Sequence, residues 1–387
     1  MHDLIKDFIN RFGGRLAGSQ AERDAQDYLF EKLKGFCTYA DRHNFEAPLG
    51  AKPGSARLFA IVYFAALLLF WVSPLAAFFL SLLNAVCFYG HFVSYRGWLD
   101  FLYPKKRSLN IMGVLEPKEA VKSTILISAH MDSTKEFVWW YWLKDNGARL
   151  MVVGGLLFLF QPVFYLVVLL FSSGPDWSVI AWWFLTAISP AIFTYLYMRG
   201  SIVVDGAQDN LSGIVVAYET VRSFISEGQK GNSSLKHTRL KMVSFGSEEA
   251  GLVGSMKFAE TFGESLKDEN AILVNLDGIM NMDEFHIVRK ERMTGALYSE
   301  DLIGKLSAAF DQEEVKHRIS DLLIGATDAA SLLRKGIPSV TLLGLPIDRL
   351  DPTYHTRLDT PEHVDPNALE ACRKVLCAFI SAWDDEV

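Results

Sequence analysis

Long uncharged runs divide the chain into two kinds of sequence. Residues 58–95 contain no Asp, Glu, Lys or Arg, and residues 150–198 contain only Asp176. The second run separates into apolar stretches at 150–171 and 177–198 around a turn at 172–176. Each stretch has about the ~20 residues with which a helix spans a bilayer. We therefore predict a transmembrane helical hairpin within residues 149–199.

The first uncharged run predicts another hairpin, within residues 57–96 and interrupted at Ser73 and Pro74. We call it hairpin 1, and the hairpin within residues 149–199 is the second hairpin. Its first arm, residues 58–72, would reach only ~23 Å at ~1.5 Å per residue, short of a ~30 Å hydrocarbon core. Local thinning of the bilayer, extension of the helix through residues 51–57, or a re-entrant segment would each accommodate it. The alternative for both hairpins is a set of buried helices in a soluble protein, but four paired apolar stretches exceed what a soluble core needs.

Basic residues flank the hairpin ends that join the rest of the chain, and neither predicted turn contains one. These residues are Lys52, Arg57, Arg96, Lys105, Lys106, Arg107, Lys144, Arg149 and Arg199. By the positive-inside rule, we predict an integral membrane protein whose polar domain faces the cytoplasm. Residues 1–7 are charged and lack the apolar stretch of a secretory signal, which favours the same location.

Composition is consistent with a soluble domain interrupted by apolar segments. The 387 residues include 38 Lys+Arg and 45 Asp+Glu, a formal net charge of −7, and 50% of them are hydrophobic. Outside the uncharged runs the charged fraction is about 27%, close to the ~25% of ordinary soluble domains. These values exclude a disordered chain and give no sign of nucleic-acid binding. The 4 cysteines are too scattered for a disulfide framework or a Cys-x-x-Cys zinc motif.

The polar part of the chain alternates between strand-like and helical patterns. Strand-like runs occur at 109–115, 124–129, 240–245, 271–276, 285–288 and 339–343. Helical patterns occur at 20–34, 211–226, 249–261, 300–310, 328–335 and 366–382, the first of them opened by a capping box at Ser19 and Glu22. This alternation predicts an α/β fold with a mostly parallel mixed sheet sandwiched by helices.

Imidazoles and carboxylates follow the predicted strands, where ligands gather in such sheets. The candidate residues are His130, Asp132, Asp209, Glu248, Glu249, Asp277 and His355. Each alone has an ordinary structural explanation, since a single His is usually hydrogen-bonded, an Asp before a helix usually caps it, and paired Glu usually face solvent. Together, two His and three carboxylates suit one or two Zn²⁺ ions with a position open for water.

Five strings in this order resemble the co-catalytic zinc exopeptidases of peptidase family M28, which includes leucyl-type aminopeptidases. The strings are ISAHMDS, DGAQDNLSG, FGSEEAGLVGS, NLDG and YHTRLDTPEHV, and the N-terminal RLAGSQAERDAQDYLFEKL resembles the opening helix of that family. The resemblance covers the non-insert residues. It implies one metallopeptidase domain over residues 1–387, interrupted by the hairpins at 57–96 and 149–199.

The resemblance also implies a role for each site residue and two Zn²⁺ ions, with other divalent metals possible. One ion would be bound by His130, Asp209 and Asp277, and the other by Asp209, Glu249 and His355, so that Asp209 bridges them. Asp132 would orient the His130 imidazole, and Glu248 would be the general base. Tyr354 is a candidate to stabilise the oxyanion, Asp328 is a weaker candidate for substrate binding, and Asp359 is a candidate partner of the site.

The sequence departs from the family pattern at residues 325–330, GATDAA, where many relatives have Ser-Asp-His. Ala329 therefore removes an imidazole that could contact the substrate, which changes the specificity pocket but not the metal site. Three functions remain open: an aminopeptidase acting on peptides, a single-zinc acyltransferase resembling glutaminyl cyclases, and an inactive scaffold. The five-ligand set favours two metals and hydrolysis.

The second hairpin interrupts the chain between metal-site residues. It begins about 18 residues after Asp132 and ends about 10 before Asp209. We therefore expect the mouth of the active site to lie close to the membrane surface and to accept apolar peptides.

Overall fold

A computed structural model describes residues 1–171, 175–225 and 231–387. The chain divides into two compact units. The sheet unit comprises Met1–Leu49, Lys105–Lys135 and Ile202–Val387, and the helical unit comprises Gly50–Pro104 and Glu136–Ser201. Residues 172–174, in the predicted turn of the second hairpin, lie outside the described residues.

The strands form one large sheet and one small ribbon. In chain order they are β1 Tyr39–Ala47, β2 Lys106–Leu115, β3 Ser123–His130, β4 Lys135–Phe137, β5 Arg199–Val203, β6 Thr238–Phe245, β7 Ala271–Asp277, β8 His286–Glu291, β9 Arg318–Leu322 and β10 Ser339–Leu343. The large sheet has the order β1-β2-β6-β3-β7-β10-β8-β9, and β4 pairs with β5.

The four central strands of the large sheet, β6, β3, β7 and β10, are parallel. β2 joins β6, β1 joins β2, and β8 joins β10 in antiparallel pairing, and β9 is parallel to β8. Every residue of β3 is buried, as the apolar run in its sequence requires of a strand covered on both faces. Because parallel strands share an orientation, the carboxyl ends of the central strands lie along one edge of the sheet.

The helices complete both units. In chain order they are α1 His2–Phe12, α2 Gln20–Lys34, α3 Ala51–Leu69, α4 Pro74–Cys87, α5 Val138–Leu143, α6 Asp145–Phe171, α7 Pro175–Ile188, α8 Phe193–Leu196, α9 Gly213–Ser223, α10 Val253–Asp268, α11 Glu300–Gln312, α12 Ala329–Leu333 and α13 Pro366–Glu386. The mixed α/β architecture predicted from the sequence, a large sheet flanked by helices, is confirmed.

Several elements differ from the sequence prediction: helix α1 and four strands, β1, β4, β5 and β9, were not predicted, and two helices start later than predicted. β1 and β9 were not predicted, because both lie at sheet edges, where half-exposed polar sequence carries no clear apolar alternation. α10 begins at Val253 and not at 249, because residues 247–252 form a turn in which the Glu248 carbonyl accepts hydrogen bonds from the Gly251 and Leu252 amides, both at 2.7 Å. α9 begins at Gly213, after a tight turn at Ala207–Ser212.

The helical unit contains three helices long and apolar enough to cross a membrane, among the residues that the structure describes. They are Ala51–Leu69, Pro74–Val93 and Asp145–Phe171. The second consists of α4 and the π-helical segment Phe88–Val93 that continues it. The first arm of hairpin 1 thus takes the extended form, beginning at Ala51. The predicted fourth arm at 177–198 is not one continuous helix, since α7 ends at Ile188, a 3₁₀ turn containing Pro190 follows, and α8 is short. Proline lacks an amide hydrogen and disrupts helix continuation there.

Candidate metal centre

The carboxyl-end edge of the sheet collects most of the candidate ligands. His130 is the last residue of β3, and Asp277 is the last residue of β7. Glu249 follows β6 in the turn before α10, and Asp209 lies in the turn before α9. His355 lies in the segment between β10 and α13 and has a left-handed backbone, φ 55°.

Asp209 joins two groups of potential metal ligands. Its Oδ1 lies 2.9 Å from His130 Nε2, and its Oδ2 lies 2.9 Å from His355 Nε2. His130 Nε2 also lies 3.9 Å from Asp277 Oδ1, and His355 Nε2 lies 2.9 Å from Glu249 Oε1. Within each group, one ligand atom of each residue lies within 4.8 Å of the others. Each imidazole therefore faces a different oxygen of one shared carboxylate.

The backbone around Asp209 lets its carboxylate face both imidazoles and does not use it to cap a helix. The residue has non-helical angles, φ −117° and ψ 87°. The Asn210 side chain, not that of Asp209, accepts a hydrogen bond from the amide of Gly213 at the start of α9, at 3.1 Å. Asn210 thus performs the capping that the sequence also allowed for Asp209.

The charges of the site favour a cation. Burial opposes ionisation of Asp209, but hydrogen bonds from His130 and His355 outweigh it and lower the pKa of this carboxyl group. Burial and the charge of Asp209 raise the pKa of Asp277 well above its usual value. Burial disfavours the protonated form of His355, yet Glu249 and Asp209 raise its pKa to about 9. Buried carboxylates at this density need a compensating positive charge, and the donor set of imidazole nitrogens and carboxylate oxygens fits Zn²⁺.

Asp132 contacts both His130 and the turn after β6. The main-chain oxygen of Asp132 lies 3.0 Å from His130 Nδ1, and its Oδ1 lies 3.6 Å from the same nitrogen. The carboxylate accepts hydrogen bonds from the amides of Glu248 and Glu249, at 2.9 and 3.0 Å. This residue therefore links the imidazole of one ligand group to the backbone of the other.

Glu248 lies beside the ligands but belongs to neither group. Its Oε2 is 3.9 Å from His130 Nε2, and its side chain is 13% exposed. Burial raises the pKa of this carboxyl group well above its usual value, although His130 opposes the shift. A carboxylate with a raised pKa next to a metal centre has the properties of a general base.

The other candidate residues have distinct environments. Asp359 accepts hydrogen bonds from the amides of Gln208, at 2.7 Å, and Asp209, at 3.3 Å, so it holds the backbone of the shared ligand. The Tyr354 ring stacks on that of His355, with centroids 4.0 Å apart. Asp328 is 1% exposed immediately before α12, and burial raises its pKa to about 7.

Sequence reasoning missed Arg15, which is completely buried. Its guanidinium donates hydrogen bonds to the carbonyl oxygens of Met131, Asp205 and Gly206, at 2.8, 2.7 and 3.1 Å. Arg15 thus ties the loop after His130 to the segment before Asp209. The sequence marks Arg15 only as the first residue of the N-terminal string RLAGSQAERD, where it looks like an ordinary exposed arginine.

Part of the chain is similar in sequence to known peptidases. Residues 191–380 match the sequence model of Peptidase family M28. Over 186 residues the chain is 27% identical to a "Probable leucine aminopeptidase 1" of Trichophyton verrucosum and 25% identical to "Leucine aminopeptidase 1" of Arthroderma otae. Each alignment covers 46% of this chain, and the chain spans about half the length of these relatives, 48% in both cases.

The fold is also similar to solved structures at low sequence identity. One is BSAP, a zinc aminopeptidase from Bacillus subtilis, at 15% identity and a TM-score of 0.57, covering 99% of this chain and 94% of that one. Another is a glutaminyl cyclase from Porphyromonas gingivalis, at 14% identity and a TM-score of 0.56, covering 99% and 96%. At these identities the similarity establishes the fold and does not separate the two activities.

Proposed function

We propose that the chain is a membrane-anchored, di-zinc aminopeptidase of peptidase family M28 that removes N-terminal residues from peptides, which the match of residues 191–380 to the model of that family supports. The observation that carries the proposal is the sharing of Asp209 between two ligand groups, with one imidazole facing each carboxylate oxygen. In this proposal His130, Asp209 and Asp277 bind one zinc ion, and Asp209, Glu249 and His355 bind the other. When bound, two such ions polarise the scissile carbonyl and make water more acidic.

The chain's own residues supply proton transfer and orientation. Glu248 accepts the proton of the attacking water and delivers it to the leaving amine, and its raised pKa suits both steps. Asp132 and Asp359 hold the backbones of Glu248 and Asp209 through amide hydrogen bonds. Tyr354, packed on His355, is our candidate donor to the developing oxyanion. The buried carboxylate of Asp328 is our candidate contact for the substrate's free ammonium group.

We further propose one metallopeptidase domain interrupted by membrane hairpins at 57–96 and 149–199, with the catalytic part in the cytoplasm. Three apolar helices of sufficient length support the anchor, and the distribution of Lys and Arg around the hairpins supports the orientation. The expected partners are thus a peptide substrate and the lipid bilayer, and we expect no nucleic acid.

We test the activity with full-length protein purified in detergent. Aminoacyl arylamides and dipeptides should lose their N-terminal residue, chelation should abolish the reaction, and added Zn²⁺ should restore it. An N-acetylated leucyl arylamide is the control that an exopeptidase should leave intact. Cyclisation of N-terminal glutaminyl peptides, with release of ammonia and of no amino acid, would instead establish the cyclase alternative; a glutaminyl cyclase shares this fold. Metal-loaded protein that performs neither reaction would point to an inactive scaffold.

We further propose that the enzyme prefers apolar peptides at the membrane surface. The sheet unit is interrupted after Lys135, close in sequence to Asp132, and resumes at Ile202, close to Asp209. Replacing residues 149–199 by a short Gly-Ser linker should lower kcat/KM for apolar peptides more than for polar ones. Unchanged values for both, in a variant with the metal content of the wild type, would refute this preference.

A further inference from the structure

Glu22 is a buried carboxyl group that the mechanism has not used. It lies in the first turn of α2 and is 0% exposed. The sequence predicted it as a member of a capping box with Ser19, and Ser19 Oγ does accept a hydrogen bond from the Glu22 amide at 3.2 Å. The Ser19 amide, however, donates to the Leu16 carbonyl oxygen at 2.8 Å, and the Glu22 carboxyl group accepts from the amide of Gly18 instead, so the reciprocal bond of a capping box is not made.

The two oxygens of Glu22 face different parts of the sheet unit. Oε2 accepts hydrogen bonds from the amide of Gly18 at 2.7 Å and from Ser108 Oγ at 3.0 Å. Oε1 accepts hydrogen bonds from the amide of Ser247 at 2.7 Å and from Ser247 Oγ at 3.0 Å. One carboxyl group therefore connects the start of α2 to the residue directly before Glu248.

Three consecutive amides of the turn after β6 are held by two buried carboxyl groups. Glu22 accepts from Ser247, and Asp132 accepts from Glu248 and Glu249. Ser247 also has a left-handed backbone, φ 59°, which is unusual for a residue with a side chain. Such a conformation is strained for a residue other than glycine and persists where the surroundings hold it in place.

We propose that Glu22 is a positioning residue for the proposed peptidase reaction, fixing the left-handed backbone of Ser247 and thereby the directions of Glu248 and Glu249. The inference rests on the proposed roles of those two residues as base and ligand. Asp132 accepts from the amides of Glu248 and Glu249, whereas Glu22 accepts from the amide of Ser247, the residue that precedes them. Without Glu22, the Ser247 amide and hydroxyl lose their acceptor, and the backbone of Ser247 can leave its left-handed conformation.

The test compares Glu22→Ala with Glu22→Gln. Glutamine keeps a carbonyl oxygen for the amide and hydroxyl of Ser247, so it should retain kcat within about threefold. Its NH2 group can donate to Ser108 Oγ but cannot accept from the Gly18 amide, so this variant should lose some thermal stability. Alanine should lower kcat about 10- to 100-fold with KM nearly unchanged, the range found when groups supporting a metal site are removed. Hydrogen–deuterium exchange in residues 246–252 should accelerate in the alanine variant and return toward the wild-type rate in the glutamine variant.

Asp384 provides a matched control at the opposite end of β6. Its carboxylate accepts hydrogen bonds from the amides of Lys236, His237 and Thr238, at 2.7, 2.9 and 2.8 Å. Asp384→Ala should therefore lower thermal stability comparably but leave kcat and exchange in 246–252 unchanged. Unchanged kcat and exchange in Glu22→Ala would overturn the proposal, and so would equal losses of kcat in both alanine variants.

The exchange measurement keeps the two proposals separable. If the wild type hydrolyses no peptide, the proposed function fails, but faster exchange at 246–252 in Glu22→Ala, reversed in Glu22→Gln, still supports the positioning of Ser247. Peptidase activity that is insensitive to Glu22→Ala leaves the proposed function standing and contradicts the positioning role.

Discussion

Replacing Glu248 with glutamine should remove catalysis while leaving the metal centre in place. Glutamine has nearly the same size as glutamate, and the hydrogen bond from the residue 248 amide to Asp132, 2.9 Å long, does not involve the side chain. Neither ligand group contains Glu248. The substitution therefore removes a proton acceptor without removing a ligand or releasing the turn.

The expected loss follows from the role of the group. A positioned acid or base contributes about 10²- to 10⁴-fold to a rate, and each tenfold change is about 1.4 kcal/mol of activation free energy. We therefore expect kcat to fall by 10²- to 10⁴-fold, or about 2.7–5.4 kcal/mol. KM should change little, because Glu248 acts in proton transfer.

Steady-state kinetics on a leucyl arylamide, together with metal analysis of the same preparations, checks this expectation. Glu260→Gln is the control, since Glu260 lies on α10 with a 53% exposed side chain paired with Lys257. It should match the wild type in both measurements. A Glu248→Gln protein that retains kcat within about threefold would refute the role of this residue as base, and one that loses its metal would show that Glu248 is needed for the metal site.

Two further predictions concern metal binding and pH. Asp209→Ala should abolish binding of both metals, because this residue belongs to both ligand groups, and metal analysis showing normal occupancy would refute the bridging role. At Asp384, burial raises the pKa, but the amides of Lys236 and His237 outweigh it and the net shift is downward, so its stabilisation is present above the unfolded-state value of ~3.9 and is lost as pH falls through the folded-state pKa. Asp384→Asn should thus lower the free energy of unfolding by about 1.5–3 kcal/mol at pH 7. The gap to the wild type should close in melts below pH ~4, and a gap that stays constant with pH would contradict the assignment.

The sequence was sufficient to predict the central sheet and the neighbourhood of its ligands. β3 and β7 are apolar and buried, so their boundaries follow from composition, and His130 and Asp277 are the residues with which they end. The edge strands β1 and β9 were missed because their sequences are largely polar. Asp209 was a candidate ligand from its place before a predicted helix, but its role as the shared ligand came only from the resemblance to a family motif, since nothing in local periodicity distinguishes it from a helix cap.

Contacts between residues distant in sequence could not be predicted. Glu22 accepts from Ser247, 225 positions away, and Arg15 donates to Met131, 116 positions away. Locally, both residues resemble ordinary charged positions near a helix start. Their complete burial becomes visible only in the folded sheet unit, where each charged group lies among main-chain and hydroxyl partners.

The central claim is that Asp209 is shared by two metal ions, and the metal content of the full-length protein tests it most directly. Protein purified in detergent, stripped with chelator and reloaded with Zn²⁺ should bind two equivalents per chain, and Asp209→Ala treated identically should bind almost none. A wild-type stoichiometry of one, or an Asp209→Ala variant that still binds zinc tightly, would contradict the account.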